Sequence, residues 1–311
     1  ALTTSSYNVA IGHAALGSED VGVKSTAIGA YALSSQNVDG DVLNTAVGYF
    51  AGKDITAGTH NTLIGGISGQ ILTEGNLNVA IGYGTLAAET LGDRSVAIGA
   101  NALNAQANTS DVDVYNVAIG YEAGTLITTA VNNTIIGGLA GNAITTGGFN
   151  VALGYNSLTS NTIGNSNVAI GTGAMETNVA ADRNVAIGTD ALENMTAAST
   201  ADHYNVAVGY HAGNSITSGV QNTVIGGLAG DALDEGNANV ALGYHALSVS
   251  VAGCSNTAVG TNAMGDGNAS STSGFNSAFG VDAGKSITSG THNTLVGGNA
   301  GDALTTGDRN V

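Results

Sequence analysis

The side chains best suited to chemistry are few and scattered. The chain holds six His, one Cys and 23 carboxylates against six Lys and Arg. Two close acidic pairs, Asp39 with Asp41 and Asp111 with Asp113, offer oxygen ligands of the kind Ca²⁺ takes. Such a site needs about six to eight oxygens, so solvated charge is the preferred reading of both pairs. His60 and His292 occupy equivalent places far apart in the chain. His211 and His245 stand two repeats apart, about 10 Å if repeats stack at strand spacing, which is too far to share one metal directly. In a three-fold assembly a single axial His could still form a cluster. Paired carboxylates about 5 to 10 Å apart would be needed for glycoside hydrolysis. The chain has only seven Glu, none in a repeated acid pair. HExxH, GxSxG, Walker and CxxC patterns are all missing, and clusters such as Gly137-Gly138 lack the strand–loop–helix setting of a phosphate loop. The expectation is a protein that is not an enzyme and needs no cofactor, with Ca²⁺ or an axial ion as the minor alternative.

What positions these residues is a repeat. Asn or Ser, then Val, Thr or Ser, a small or aliphatic residue, Ile, Val, Leu or Phe, and Gly recur along the whole chain, from Asn8–Gly12 to Asn293–Gly297. Twelve of the sixteen spacings between these glycines are 17 residues, and the others are longer by two to four. The longer coils place insertions near 34–42, 104–114, 193–203 and 265–274. Each is followed by one of four closely similar two-coil stretches, Ala46–Gly66, Ala118–Gly138, Ala207–Gly227 and Ala278–Gly298. Insertions in solenoids map to loops on one side, so these four should line one edge.

Composition agrees with a thin repetitive fold. There are 48 Gly, no Pro, no Trp and only 9% charged residues, yet 43% of the chain is apolar. That is enough to bury surface, but it comes as Ala, Val, Ile and Leu rather than aromatics. The net charge of −17 is the wrong sign for nucleic acid and disfavours anionic membranes. No apolar run reaches the roughly 20 residues of a membrane-spanning helix. The lone Cys254 excludes an intrachain disulfide framework and reads as a small apolar filler. With neither a start Met nor a signal peptide, and with Asn310-Val311 opening another copy, the chain reads as part of a longer fibre.

Val, Ile and Thr before a Gly read as a short strand. In Asn78-Val79-Ala80-Ile81-Gly82, Val79 and Ile81 share one face and Ala80 takes the other. With the larger pair turned inward, an outward Ala row calls for a second packing surface, most simply another chain. A second apolar pair, such as Thr85-Leu86 or Ser157-Leu158, suggests two strands and two turns per coil. The leading Asn should stack into a hydrogen-bonded ladder through Asn8, Asn44, Asn78, Asn116, Asn150, Asn167, Asn205, Asn239 and Asn276. Tyr49, Tyr83, Tyr121, Tyr155, Tyr210 and Tyr244 all follow the turn glycine. Covering the turn while keeping a wet hydroxyl is their preferred role, and a sugar-stacking row is the alternative.

The runs NVALGYNSL at Asn150–Leu158 and NVALGYHAL at Asn239–Leu247, with SVAIG at Ser95–Gly99 and NTAVG at Asn44–Gly48 and Asn256–Gly260, resemble two related repeat groups. One is the head of YadA-like trimeric adhesins, and the other is the NTAIGYxAL array of bacteriophage tail fibres. The resemblance covers essentially the whole chain. It implies a left-handed, trimeric parallel β-roll that is extracellular, on a virion or a bacterial surface. The longer coil and the insertions depart from both patterns.

The expected fold is therefore all-β: one continuous repeat domain over 1–311, a parallel β-solenoid of about 17 coils. The expected function is a receptor-binding module, a phage tail-fibre segment for host attachment first and a bacterial adhesin head second. A purely structural spacer is the main rival, and an ice-binding solenoid a weaker one. Expected partners are two further copies of the chain and a cell-surface receptor such as a glycan, with no nucleic acid and no membrane insertion. Within the insertions, Asp39, Asp41, Asp111, Asp113, His203 and Asp266 are the candidate receptor contacts.

Overall fold

A computed structural model describes residues 4–197, 199–266 and 274–311. The chain is all-β, with no helix among the described residues, and winds as a parallel β-solenoid of about 16 turns at about 17 residues each. It divides into two compact units, Ala1–Ala152 and Leu153–Val311. In the first, three-residue strands from Val9–Ile11 to Thr134–Ile136 pair in parallel, coil upon coil. In the second, strands from Val168–Ile170 to Thr294–Val296 do the same. Register is unshifted: Val79, Ala80 and Ile81 lie opposite Val96, Ala97 and Ile98. Because side chains alternate between faces, this register stacks like upon like in every column.

With the leading Asn or Ser counted as position 1, the glycine at position 5 ends each strand. Gly82 has φ 140, and a Cβ there would stand 2.8 Å from the carbonyl carbon and oxygen of Gly99 in the next coil. Both the dihedral and the space admit only glycine, which explains its presence in every coil.

The structure reverses the expected facing of the strand. Ala80 and Ala97 are fully buried, whereas Val79, Ile81, Val96 and Ile98 are only half-buried. Position 3 points inward in every described coil after the first, whether it holds Ala or, in four coils, Leu63, Ile135, Val224 or Leu295. There is therefore no outward Ala row. The outward columns are Val or Thr at position 2 and Ile, Val, Leu or Phe at position 4, with Ser277 the one exception.

Nor is there a second strand in each coil. The wall opposite the strand is a succession of turns, bonded to the next coil by Leu86 N–H to Ala102 O at 3.3 Å and Ala88 N–H to Asn104 O at 3.1 Å. Leu86 adopts φ 47, a left-handed conformation costing a non-glycine residue roughly 1–2 kcal/mol. Its side chain is completely buried, worth about 1.5–3 kcal/mol, so burial offsets the strain.

Positions 9 and 12 exchange the large apolar side chain. Leu86 and Leu103 at position 9 go with Glu89 and Gln106 at position 12, whereas Gly52 and Gly69 go with Ile55 and Leu72. A Cβ on Gly52 would meet Leu63 at 2.7 Å, Leu33 at 2.9 Å and Ile55 at 3.0 Å, so the leucine's space is already filled. In the second unit Leu158 goes with Asn161, and Gly213 with Ile216. Leu192 with Met195, both apolar, departs from the rule. Where one side of the turn lacks the large apolar side chain, the other supplies it.

Candidate functional site

The buried Asn column joins the coils mainly through the main chain. Asn44 Oδ1 accepts from the Asn61 amide N–H at 2.8 Å, and its Nδ2 donates to Gly58 O at 2.7 Å. Asn61 Nδ2 also reaches Asn44 Oδ1 at 3.2 Å. The same bonds recur from Asn205 through Asn222 to Asn239 in the second unit. Each side chain thus satisfies a donor and an acceptor that the turn leaves over. The column is occupied with holding coils together and presents no reactive group.

Two polar clusters replace this pattern where Ser stands for Asn, and the repeat reading overlooked both. Gln36 Nε2 donates to Ser25 Oγ at 3.1 Å and to Glu19 Oε2 at 2.8 Å, while Asn44 Nδ2 donates to Gln36 Oε1 at 2.9 Å. Gln106 makes the matching bonds to Ser95, Glu89 and Asn116 at 3.1, 2.8 and 3.0 Å. Glu89 is fully buried, and its carboxylate accepts from the amides of Thr90, Leu91, Gly92 and Asn108 at 2.8 to 3.1 Å or slightly longer, the longest being 3.2 Å. Its charge is held by N–H dipoles alone. The signal in the sequence was the pair of exceptions, Ser25 and Ser95, each with Gln eleven residues on and Glu six residues before.

The insertions enter the coil at one place. In the first unit, Gly40–Asp41 closes onto Gly22–Val23 and Val112–Asp113 onto Gly92–Asp93. In the second, Asp182 bridges Asp202 and Cys254 bridges Gly274. Asp39 and Asp111 are exposed at these loops. Asp41 is paired with Lys24 at 2.7 Å, Asp113 with Arg94 and the Tyr115 hydroxyl, and Asp266 with Lys285 at 3.2 Å. Arg183, Asp202 and Tyr204 repeat the Arg94 arrangement. Three of the candidate contacts are thus tied into the ends of their loops.

His203 is a correction. It is 5% exposed, with Nδ1 2.6 Å from Ala201 O, and occupies the place that Val42 and Val114 fill in the other insertions. It packs the core rather than standing at the surface. Residues 267–273, most of the fourth insertion, lie outside the described residues.

Two exposed surfaces remain. The outer sheet face carries uncharged columns at positions 2 and 4 in both units. Beside it stand Tyr49, Tyr83 and Tyr121 in the first unit and Tyr155, Tyr210 and Tyr244 in the second, each more than half exposed. Tyr49 stacks on Phe50 at 3.9 Å, and Tyr244 leans on His245 at 4.3 Å.

The second unit also has an open groove of about 480 Å³ at the start of the 193–203 insertion, lined by Thr177, Asn194, Thr196, Ser215, Thr217 and Asp234. The Thr217 hydroxyl donates to Asp234. Nearby, burial pushes the Asp231 carboxyl above its ordinary range, with His245 and His211 acting against it. His211 Nε2 lies 3.2 Å from Asp190 Oδ2. Ala232 and Val251 complete the groove's lining beside its hydroxyls, one amide and one carboxylate.

Among the described residues, no group of three or more His, Cys, Asp or Glu is placed to hold a metal ion, and no helix is long and apolar enough to cross a membrane. Compared with family models, with curated proteins and with solved structures, the chain matches none.

Proposed function

We propose that the chain is an extracellular fibre module that attaches to a receptor, as a segment of a phage tail fibre or, alternatively, as a bacterial adhesin head. The observation that carries this reading is the outer sheet face. Its two columns hold Val, Thr, Ile, Leu, Phe and Ser without a single charge. Monomeric proteins rarely expose contiguous apolar patches beyond a few hundred Å². A face of this kind favours packing against two further copies, in a left-handed three-chain fibre. Trimerisation presents the aromatic edge, the groove and the insertions three times, and avidity then multiplies weak contacts.

The test is the mass in solution, with cell binding measured on the same sample. A mass near three times 30.3 kDa together with saturable binding to host cells agrees with the proposal. A monomer that binds no cell surface overturns it. A second reading, a spacer with binding done elsewhere in a longer protein, draws on the ion pairs that tie down Asp41, Asp113 and Asp266. Undiminished attachment after replacement of the insertions, the groove and the tyrosines would favour it.

A further inference from the structure

We infer that the first unit carries a binding edge for a linear, uncharged, β-1,4-linked polysaccharide. This inference rests on the receptor-binding function proposed above and names its ligand.

In successive coils of this unit the residue after the turn glycine is His13, Ala30, Tyr49, Gly66, Tyr83, Ala100, Tyr121 and Gly138. Ring and small residue alternate without a break. The small residues make room: a Cβ on Gly66 would stand 3.5 Å from Tyr83 Cδ2, so the ring leans across the neighbouring coil. Tyr49, Tyr83 and Tyr121 nevertheless remain 55%, 61% and 57% exposed. Rings serving only to shield the turn would be wanted in every coil. Here they stand in every second coil, about 9.6 Å apart at twice the strand spacing.

That period has a chemical counterpart. In a β-1,4-linked pyranose chain each sugar is turned over relative to the last, so alternate sugars present the same C–H face. One sugar spans close to one strand spacing. Tyrosines on alternate coils therefore meet equivalent faces of alternate sugars, and stacking on an aromatic ring buries those faces. The Gly and Ala between them accommodate the inverted sugars. An α-linked chain curls and loses the register after one contact. The net charge of −17 repels acidic polysaccharides, which leaves neutral chains of the cellulose or chitin kind. The second unit is less regular. Its sequence at this position is Tyr155, Thr172, Thr189, Tyr210, Gly227, Tyr244, Thr261, Val281, Gly298, and the alternation holds only from Tyr210 to Tyr244.

The experiment is calorimetric titration of the 311-residue chain with cellohexaose, chitohexaose and maltohexaose. At least one of the two β-linked hexaoses should bind, and maltohexaose should not. Tyr49→Ala/Tyr83→Ala/Tyr121→Ala should weaken binding at least tenfold, whereas Leu126→Ala, at an exposed residue away from the ladder, should leave it unchanged. Circular dichroism melts establish that the variants fold, and Tyr83→Ser alone gives the same reading if the triple variant does not. Silence with both β-linked hexaoses, equal binding of maltohexaose, or full binding by the triple variant would overturn the inference. Cell attachment separates it from the wider function. A chain that adheres to cells but ignores both β-linked hexaoses loses the ladder and keeps attachment. One that binds a β-linked hexaose but no cell keeps the ladder and loses attachment.

Discussion

Asn222→Ala should cost about 3 kcal/mol in the second unit. The wild-type side chain makes four hydrogen bonds. Nδ2 donates to Asn205 Oδ1 at 3.1 Å and to Gly236 O at 2.8 Å. Oδ1 accepts from the Asn239 amide at 3.0 Å and from Asn239 Nδ2 at 3.1 Å. Two of the four partners keep another bond: Asn205 Oδ1 still receives the Asn222 amide at 3.0 Å, and Asn239 Nδ2 still reaches Gly253 O at 2.7 Å. The Asn239 N–H and the Gly236 carbonyl are left buried without a partner. Each orphaned group costs roughly 1–3 kcal/mol, and the two together set the size of the effect. Urea denaturation measures the loss. Amide hydrogen exchange locates it, because the Asn239 amide should exchange at least a hundredfold faster while distant coils keep their protection. The neighbouring Thr223→Val, on the half-exposed outer face, should change stability by no more than about 0.5 kcal/mol. A loss below 1 kcal/mol for Asn222→Ala, or an unchanged Asn239 amide, would refute the view that the column holds coils together through main-chain groups.

Further outcomes follow from other columns. Gly82→Ala should destabilise the first unit by about 2–5 kcal/mol, from a glycine-only dihedral and a backbone contact at 2.8 Å together; thermal melts test it. Glu89→Ala should cost about 3–5 kcal/mol, since it strands several buried N–H groups, whereas the same change at half-buried Glu176 should cost under about 1 kcal/mol by denaturant titration. Ile98→Lys should leave the circular dichroism spectrum intact and shift the solution mass towards 30.3 kDa. Asp231→Asn should raise stability at neutral pH. Burial lifts the folded-state pKa, so the wild-type carboxyl favours the folded state while protonated and loses that contribution as pH rises through its raised value. The advantage of Asn over Asp should therefore shrink as the pH of the melt is lowered into the carboxylate range.

The periodicity of the glycines made the coil legible, because a position with room for no side chain cannot drift. The Asn column could be found by register alone. The facing of the strand could not: Val-Ala-Ile is apolar on both sides, and the same position goes in whether it holds Ala80 or Leu63. The second wall was misread as a strand for a related reason. Its Leu residues look like strand residues, and nothing in a one-letter pattern reveals that Leu86 sits at φ 47. Among the candidate contacts, Asp39 and Asp111 were accessible to composition, whereas the tying of Asp113 to Arg94 depends on residues brought together across an insertion. His203 was misjudged because polarity in a loop was taken for exposure; its equivalence to Val42 and Val114 was available from the register.

The exchange of Leu for Gly at position 9 against an apolar residue at position 12 also bears on how such a chain can be inherited. A point change at either position alone leaves a hole or a collision, so ancestry should run through copying of intact blocks. The glycine-bearing coils do travel in adjacent couples, Gly52 with Gly69, Gly124 with Gly141, Gly213 with Gly230 and Gly284 with Gly301. Each couple lies within or just beyond one of the four similar stretches and just downstream of a lengthened coil. The heritable module is then a couple of coils carried with its leading insertion, and lengthening by unequal recombination would add surface loops and shaft in fixed proportion.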